Sequence, residues 1–298
     1  MERKTRIDAF GATSLIIFSA LLGLNQVLIK IVNSGLNPVF QAGLRSLFAL
    51  PIVLLFMLVA RKKLSFTDGS LLAGLFCGLL FSGEFILLFL ALDFTTVSRA
   101  SIFFYTMPFW VALGAHFFIP DEALTRVRVF GLVLAIAGIA IAMANRSAEA
   151  PAGAFWGDLM SLAGATMWAG IALVARLTRL SKSSPQMQLV YQLVVSAPLI
   201  LLASLFFGPA VRELTSEHIF IFAFQVVVVV AFGFSFWFWL LARYPASDMA
   251  SFGFLAPLFG VALGWLILDE QVTGSLIIAL ILVACGIYLV NRKPKTAV

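Results

Sequence analysis

The sequence predicts an all-α membrane protein of ten transmembrane helices, arranged as two inverted five-helix repeats around a central cavity. Composition, the distribution of basic residues and an internal repeat support this prediction. Of the 298 residues, 62% are hydrophobic and 11% are charged, and the mean hydropathy is +1.06. Soluble domains carry about 25% charged residues. The chain therefore lacks the polar surface that a soluble enzyme or a disordered chain requires.

Ten apolar stretches follow one another with short connections, each close to the roughly 20 residues that a helix needs to cross a bilayer. They cover residues 9–32, 38–60, 69–92, 97–118, 127–145, 155–176, 186–207, 218–240, 247–267 and 273–291. The longest connection, residues 146–154, is rich in alanine, proline and glycine, which is typical of a linker. It separates the predicted domains 1–146 and 155–298. The first stretch is longer than the apolar part of a signal peptide, so we expect a retained helix.

The basic residues predict the orientation of the spans. With the N-terminus in the cytoplasm, fifteen of the twenty Lys and Arg residues fall on the cytoplasmic side and four on the outer side, among them Arg99. Membrane proteins concentrate basic residues in their cytoplasmic loops. We therefore predict a bacterial-type inner-membrane protein with both termini in the cytoplasm. The net charge of +6 then orients the chain in the lipid bilayer, and no nucleic-acid partner is expected.

The two halves of the chain repeat one pattern. Pro38, Gln41, Arg45 and Pro51 recur 147 residues later as Pro185, Gln188, Gln192 and Pro198. At nearly the same offset, Lys30, Pro108, Asp121-Glu122 and Gly138 correspond to Arg176, Pro257, Asp269-Glu270 and Gly286. Each repeat holds five spans, and because five is odd, the second copy enters the membrane from the opposite side. Inverted repeats are typical of secondary transporters, whose site lies near the bilayer midplane between the halves.

These motifs resemble the drug/metabolite transporter superfamily in its ten-helix form with two EamA-type repeats. The residues that carry the resemblance are the Arg45 span with its prolines, the block Ala91…Ala100-Ser101…Pro108…Asp121-Glu122, and its second copy Ala242…Ala250-Ser251…Pro257…Asp269-Glu270. The likeness covers nearly the whole chain and is greatest to YddG-type exporters of aromatic and hydrophobic amino acids. It implies a central cavity lined by spans 1–4 and 6–9, with spans 5 and 10 at the periphery.

Two charged residues inside spans are the leading candidates for a binding site. Glu84 lies deep in the third span, where a charge is costly unless it is paired or hydrated. It could bind a substrate amino group or a proton, or it could be a structural partner of Arg45. Arg45 can hold a carboxylate with two hydrogen bonds, although a structural or gating role remains open. Gln192 occupies the equivalent position in the second repeat, so the predicted site is electrically asymmetric.

Aromatic and polar side chains extend the predicted lining. Ser101, Tyr105 and Pro108 share one face of span 4 at helical spacing. The full set of predicted substrate-binding residues is Glu84, Arg45, Tyr105, Trp168, Gln192, Tyr191, Trp239 and Ser251. Pro108 and Pro257 interrupt backbone hydrogen bonding at matching positions of the two halves. Paired interruptions of this kind indicate a hinge or gate in transporters.

Other features indicate structural roles. Gly74 with Gly78, and Gly260 with Gly264, permit close approach of helices. Asp121-Glu122 and Asp269-Glu270 are expected to lie in loops and to cap the helices that follow them. Lys30 and Arg176 are expected to extend from span ends toward the membrane surface.

The sequence gives little support for an enzyme. It contains no Gly-x-x-x-x-Gly-Lys-Ser/Thr loop and no His-Glu-x-x-His motif, and its two cysteines lie in apolar runs without a metal-binding pattern. We therefore expect no cofactor, no metal and no catalysis. The predicted function is export of small amphipathic metabolites, chiefly aromatic or hydrophobic amino acids. The alternatives are export of other drugs or organic cations and, remotely, an intramembrane hydrolase with Ser235 as nucleophile. Proton coupling and oligomeric state stay open.

Overall fold

The structure is a computed structural model that describes residue 4 and residues 7–62, 64–119, 122–145, 151–245, 249 and 252–291, with backbone only at 231, 234, 235, 238, 241 and 242. Within these ranges the regular structure is helical, apart from one isolated β-bridge between Leu36 and Val211. Eight candidate spans among the described residues are long and apolar enough to cross a membrane, and one of them, Val97–Phe118, is interrupted by a turn at residues 105–106. This confirms the all-α membrane fold that the composition predicts.

The first half of the chain forms helices close to the predicted spans. They are α1 (Ala9–Gly35), α2 (Pro38–Val59), α3 (Leu71–Phe94), α4 (Val97–Phe104), α5 (Met107–Phe118) and α6 (Arg126–Ala144). Side-chain caps define several starts: Asp8 accepts a hydrogen bond from the N–H of Gly11, and Thr96 accepts one from the N–H of Arg99. Such caps satisfy amide groups that have no partner within the helix.

The second half follows the same plan with more irregular backbone. Its elements are α7 (Ala154–Leu177), a 3₁₀ turn (Arg179–Lys182), α8 (Pro185–Ser204), α9 (Ser216–Phe224), a π-helix (Gln225–Gly233), α10 (Phe234–Arg243), α11 (Leu255–Leu268) and α12 (Gly274–Asn291). The apolar helices Ser216–Val230 and Leu255–Leu268 are shorter than a full span and coincide with the eighth and ninth predicted stretches. Long π-helices are rare and often occur at functional sites.

The backbone is interrupted beside both prolines. Residues 105 and 106 form a turn between α4 and α5, and Pro108 lies in the first turn of α5. Residues 252–254 form a turn before α11, and Pro257 lies in the first turn of that helix. Proline lacks an N–H and clashes with the preceding turn, which accounts for breaks at these positions. The predicted common face of Ser101, Tyr105 and Pro108 is wrong, because the break lies between them.

The halves interlock along their whole length. The principal packing pairs are α1 with α11, α2 with α8, α3 with α7 and α8, α4 with α7 and α11, and α6 with α12. Each pair joins a helix of the first half to a helix of the second. The α6–α12 pair has its own apolar cluster with Ala135 and Val283, and the main core lies between α1, α2, α3 and α8.

Small residues make this packing possible, as the glycine pairs predict. A methyl group added at Gly74 would collide with the ring of Tyr191, and one added at Gly260 would collide with the side chain of Ser101. Helices that approach this closely gain van der Waals contact where hydrophobic association contributes little.

Candidate functional site

Arg45 lies in the centre of the first-half helices and is 5% exposed. Its Nη1 donates to Oδ1 of Asn25 on α1 at 3.2 Å. Its guanidinium carbon lies 4.6 Å from the ring centroid of Phe85 and 5.1 Å from that of Phe89, both on α3. Cation–π contacts of this kind hold a guanidinium in an apolar setting. Three helices therefore fix the position of this charge.

Glu84 projects from the middle of α3 and is also 5% exposed. Its Oε2 has no hydrogen-bond partner, and within the described ranges the carboxylate forms no ion pair shorter than 4 Å. The charges of Glu84 and Arg45 nevertheless attract each other. Buried polar groups are nearly always hydrogen-bonded, so an exception requires an explanation. Glu84 therefore does not form a direct ion pair with Arg45 in this conformation, and a structural role as its partner does not explain why the carboxylate is buried here.

An amphipathic pocket adjoins Arg45, between α2, α3, α8 and the π-helix. Its walls include Phe81 and Phe85, whose ring centroids are 4.1 Å apart, together with Leu193 and Val230. Arg45 supplies the positive charge in this lining. Mostly apolar walls with a few polar groups are typical of small-molecule sites, and in this conformation the space, about 10 Å³, holds no more than one water molecule.

A second aromatic group lies where α4 meets α7. Trp168 stacks on Phe104 with centroids 5.2 Å apart, and the ring of Tyr105 meets the indole edge-on at 6.3 Å. Gly164 lies one turn earlier on α7, where an added methyl would lie 3.3 Å from Phe104 and 3.6 Å from the carbonyl oxygen of Glu84. Tyr105 and Trp168 therefore lie together, and α7 passes close to the backbone of Glu84 at Gly164.

The other predicted site residues lie apart from this group. Tyr191 is buried between α3 and α8, where its hydroxyl donates to the carbonyl of Ser65 at 3.3 Å and lies 3.1 Å from Oγ of Ser70. Gln192 is half-buried on the next face of α8. Trp239 packs against Phe10 near the start of α1. Ser251, the side chain of Ser235 and Asp121 lie outside what the structure describes.

Sequence reasoning missed two buried amides. Gln41 Nε2 donates to Oε1 of Gln225 at 3.5 Å, and both side chains are fully buried. The second amide atom of each residue has no partner in the described part of the protein. Gln225 opens the π-helix and immediately precedes a run of five valines. Gln225 beside this apolar run was the sequence feature that could have predicted a buried polar group.

Arg99 is not an exposed loop charge. The distribution of basic residues predicts that it lies on the outer side of the membrane, and the structure shows that its side chain is 6% exposed and pairs with Asp158 on α7 at 2.6 Å. Asp158 is a second acid inside a span, and its position four residues into α7 was the available signal. The Arg99 guanidinium can be buried because the Asp158 carboxylate pairs with it and offsets its loss of hydration.

Glu270 and Lys30 also differ from expectation. Glu270 does not cap its own following helix, because its carboxylate accepts the N–H groups of Val97 and Ser98 at the start of α4. Lys30 does not extend to the membrane surface, because its Nζ donates to the carbonyls of Leu92 and Thr95. Free amides and free carbonyls at helix ends attract charges of these signs.

Charged side chains buried inside a multi-helix membrane fold are typical of transporters. The chain belongs to the EamA-like transporter family, whose family model matches residues 9–144 and 155–292. The drug/metabolite transporter resemblance seen in the sequence is thereby confirmed. The family indicates a transporter rather than an enzyme, and it implies a small-molecule substrate and embedding in a membrane.

Several relatives carry informative names. The chain is 30% identical over 300 residues to a probable amino-acid metabolite efflux pump of Salmonella typhimurium, covering 96% of this chain and 95% of the relative. It is 28% identical over 281 residues to the Escherichia coli protein of the same name, covering 90% of each. It is 26% identical to the uncharacterized transporter YoaV of Bacillus subtilis, covering 92% and 94%. A crystal structure with 20% identity matches 94% of this chain and 95% of its own at a TM-score of 0.66, which supports the fold.

Proposed function

We propose that this transporter exports amino acids, chiefly aromatic and hydrophobic ones, by alternating access through the cavity between its two halves. The carboxylate of Glu84, buried and without a hydrogen-bond partner in the described ranges, carries the proposal. A charge retained at this depth in a membrane protein marks a functional site by default. The ammonium group of an amino acid would supply the partner that Glu84 lacks.

Arg45 suits the acid end of the same substrate. Its guanidinium offers five N–H donors, and the structure engages it with Asn25 and the faces of two phenylalanine rings. Guanidinium groups bind carboxylates with two parallel hydrogen bonds. A zwitterionic amino acid bound between Glu84 and Arg45 would neutralise both charges. Its ammonium group would pair with Glu84 and its carboxylate with Arg45, which would fix its orientation.

Aromatic side chains would receive the rest of the substrate. Phe81 and Phe85 line the pocket beside Arg45, and Tyr105 and Trp168 form the aromatic group between α4 and α7. Gln192 would be the neutral counterpart of Arg45. Tyr191, Trp239 and Ser251 would join the lining in other conformations of the cycle. Aromatic pairs contribute about 0.5–1.5 kcal/mol beyond the area that they bury, so this surface would favour ring-bearing side chains.

The transport cycle would use the breaks beside Pro108 and Pro257. A helix interrupted at one point can bend there while its two segments stay rigid, and matched interruptions occur at the sites of inverted-repeat transporters. In this proposal the halves, residues 1–146 and 155–298, rock around the central cavity. The excess of basic residues on one side supports an orientation in which both termini would lie in the cytoplasm and the protein in the inner membrane.

Organic cations are the second candidate substrates. An unpartnered carboxylate close to aromatic rings is also the arrangement that binds cations. Arg45 distinguishes the two hypotheses. Its guanidinium would repel an organic cation, whereas it would bind the carboxylate of an amino acid.

Counterflow in proteoliposomes tests the proposal. Liposomes loaded with unlabelled phenylalanine should accumulate labelled phenylalanine or threonine through the purified protein, and protein-free liposomes should not. A parallel series with tetraphenylphosphonium tests the cation hypothesis, and both series are repeated with an imposed pH gradient to detect proton coupling. Counterflow of the cation alone would support the second candidate. If several amino acids give no counterflow while another metabolite does, the amino-acid proposal is wrong.

A further inference from the structure

Two buried glutamines meet where α2 packs on the π-helix. Nε2 of Gln41 donates to Oε1 of Gln225 at 3.5 Å, which is long for a hydrogen bond, and both side chains are 0% exposed. Within the described part of the chain, Oε1 of Gln41 and Nε2 of Gln225 have no partner. The two amides are therefore joined by one long hydrogen bond, which leaves an acceptor and a donor unused.

This incomplete bonding does not depend on how the two amides are turned. The oxygen and the nitrogen of a glutamine amide exchange places when the amide turns over. If both amides turn over, Gln225 becomes the donor and Gln41 the acceptor, and again one oxygen and one NH₂ group are left. If only one turns over, two oxygens or two NH₂ groups meet and the bond is lost. Because buried polar groups are nearly always hydrogen-bonded, the pair lacks a third group that both donates and accepts.

The equivalent glutamine of the second repeat has partners close by in the sequence. Gln188 corresponds to Gln41 at an offset of 147. Its Nε2 donates to the carbonyl oxygens of Leu180 at 3.0 Å and Ser183 at 3.4 Å, which fastens the turn before α8. At the start of α2, the side chain of Asn37 caps the helix instead. Fastening the start of its own helix therefore does not explain Gln41.

The glutamine pair adjoins the Arg45 pocket along both helices. On α2, Gln41 precedes Arg45 by four residues, so the two side chains share a face and lie about 6 Å apart along the helix axis. On the π-helix, Gln225 precedes Val230 by five residues, which is close to one turn of a helix with i→i+5 hydrogen bonds. Arg45 and Val230 line the same pocket. The pair therefore lies one turn beyond that pocket, toward the start of α2.

We propose that Gln41 and Gln225 form a subsite for a neutral substrate group that both donates and accepts hydrogen bonds, such as the hydroxyl of threonine or a side-chain carboxamide. The substrate group donates to the free oxygen of the pair and accepts from its free NH₂ group. The subsite deepens the proposed function and rests on it, because an amino acid held at Arg45 by its carboxylate extends its side chain along α2 toward the pair. The pair is fully buried in this conformation, so the substrate reaches it when the two halves move.

A pair of isosteric substrates tests the subsite. Threonine and valine have the same shape, and threonine carries a hydroxyl where valine carries a methyl group. The apparent KM of each is measured by counterflow in the parent protein and in the double variant Gln41→Met/Gln225→Met. The parent should have the lower KM for threonine. The double variant should lower the ratio of the valine KM to the threonine KM about three- to tenfold, because the hydrogen bonds to the hydroxyl are lost.

Methionine suits this test because it keeps the length of glutamine, and replacing both partners of a buried hydrogen bond by apolar groups of similar shape is close to neutral for folding. If the double variant does not fold, Gln225→Met alone serves and should lower the ratio in the same direction. Gln188→Met is the matched control, since its amide bonds within the turn before α8. It should leave the ratio unchanged.

Two results would overturn the subsite: a parent protein that does not favour threonine over valine, or a double variant that keeps the ratio of the parent. The second result is expected if the pair is purely structural or binds only water. Phenylalanine, which has no group for the subsite, reports on the proposed function. If the parent carries phenylalanine while either result is found, the subsite alone is wrong. If it carries no amino acid, both proposals are wrong.

Discussion

The guanidinium of Arg99 lies directly against the carboxylate of Asp158, with Nη2 2.6 Å from Oδ2 and Nε 3.1 Å from Oδ1. The two side chains are 6% and 0% exposed. Arg99 Nη2 also donates to the carbonyl of Ala142, and Thr95 donates its hydroxyl to Asp158. This buried pair therefore joins α4 to α6 and α7, at the same α3–α4 turn that Lys30 and Glu270 contact.

Removing one member of this pair should destabilise the fold. Asp158→Ala leaves the Arg99 charge buried without its counterion, which typically costs about 3–5 kcal/mol. Asp93→Ala breaks the partly exposed pair with Arg212 and should cost less than about 1 kcal/mol. Thermal unfolding of the two variants in detergent measures the difference. Equal losses of stability would contradict the assignment of a buried pair at Arg99.

The start of α1 should give the protein a pH dependence. Hydrogen bonds from Lys4, from the hydroxyl of Tyr244 at 2.7 Å and from the N–H of Gly11 at 2.8 Å hold the pKa of Asp8 well below its usual range. Because the folded pKa is depressed, the stabilisation is fully present above the unfolded value of about 3.9 and is lost as the pH falls through the folded pKa.

Asp8→Asn should therefore lower the melting temperature most at neutral pH. The difference from the parent protein should shrink as the pH falls below about 4, where the unfolded carboxylate takes up its proton. Glu217→Gln, at an exposed carboxylate, provides the comparison. If the melting-temperature difference between Asp8→Asn and the parent protein stays constant across this range, the stabilisation does not depend on the charge of the Asp8 carboxylate.

Trp168 should determine preference for aromatic substrates. If its indole and Tyr105 receive a substrate ring, Trp168→Phe removes part of that surface and should raise the KM for phenylalanine about three- to tenfold, with a smaller change for threonine. Trp156→Phe is the matched control on the same helix, because Trp156 is 61% exposed. Equal changes for the two substrates would place Trp168 outside the site.

The sequence predicts most of the fold because the membrane limits the choices. An apolar stretch of about 20 residues has to satisfy its backbone internally, so α1, α2, α3, α6, α7, α8 and α12 begin and end near their predicted limits. The breaks beside Pro108 and Pro257 follow from the chemistry of proline. The π-helix that starts at Gln225 has no comparable signal, because its side chains are those of an ordinary apolar helix.

The candidate site was less predictable, because helix spacing shows which residues share a face but not what that face meets. Tyr191 shares a face with neighbouring polar residues, yet it packs at Gly74 and Ser70 instead of facing the Arg45 pocket. From the sequence alone, Arg99 is predicted to be a loop charge. The structure shows that the packing of α4 on α7 places Asp158 beside it. Tertiary contacts between distant residues determine both outcomes.

The central claim is that Glu84 binds the ammonium group of an exported amino acid. Counterflow of labelled phenylalanine through Glu84→Gln, compared with the parent protein and Glu217→Gln at equal protein density, tests it most directly. We expect counterflow to fall about tenfold in Glu84→Gln, since a hydrogen bond to a charged group is lost, and to be unchanged in Glu217→Gln. Under the second candidate function, Glu84→Gln should abolish transport of an organic cation. Undiminished phenylalanine counterflow in Glu84→Gln would contradict the account.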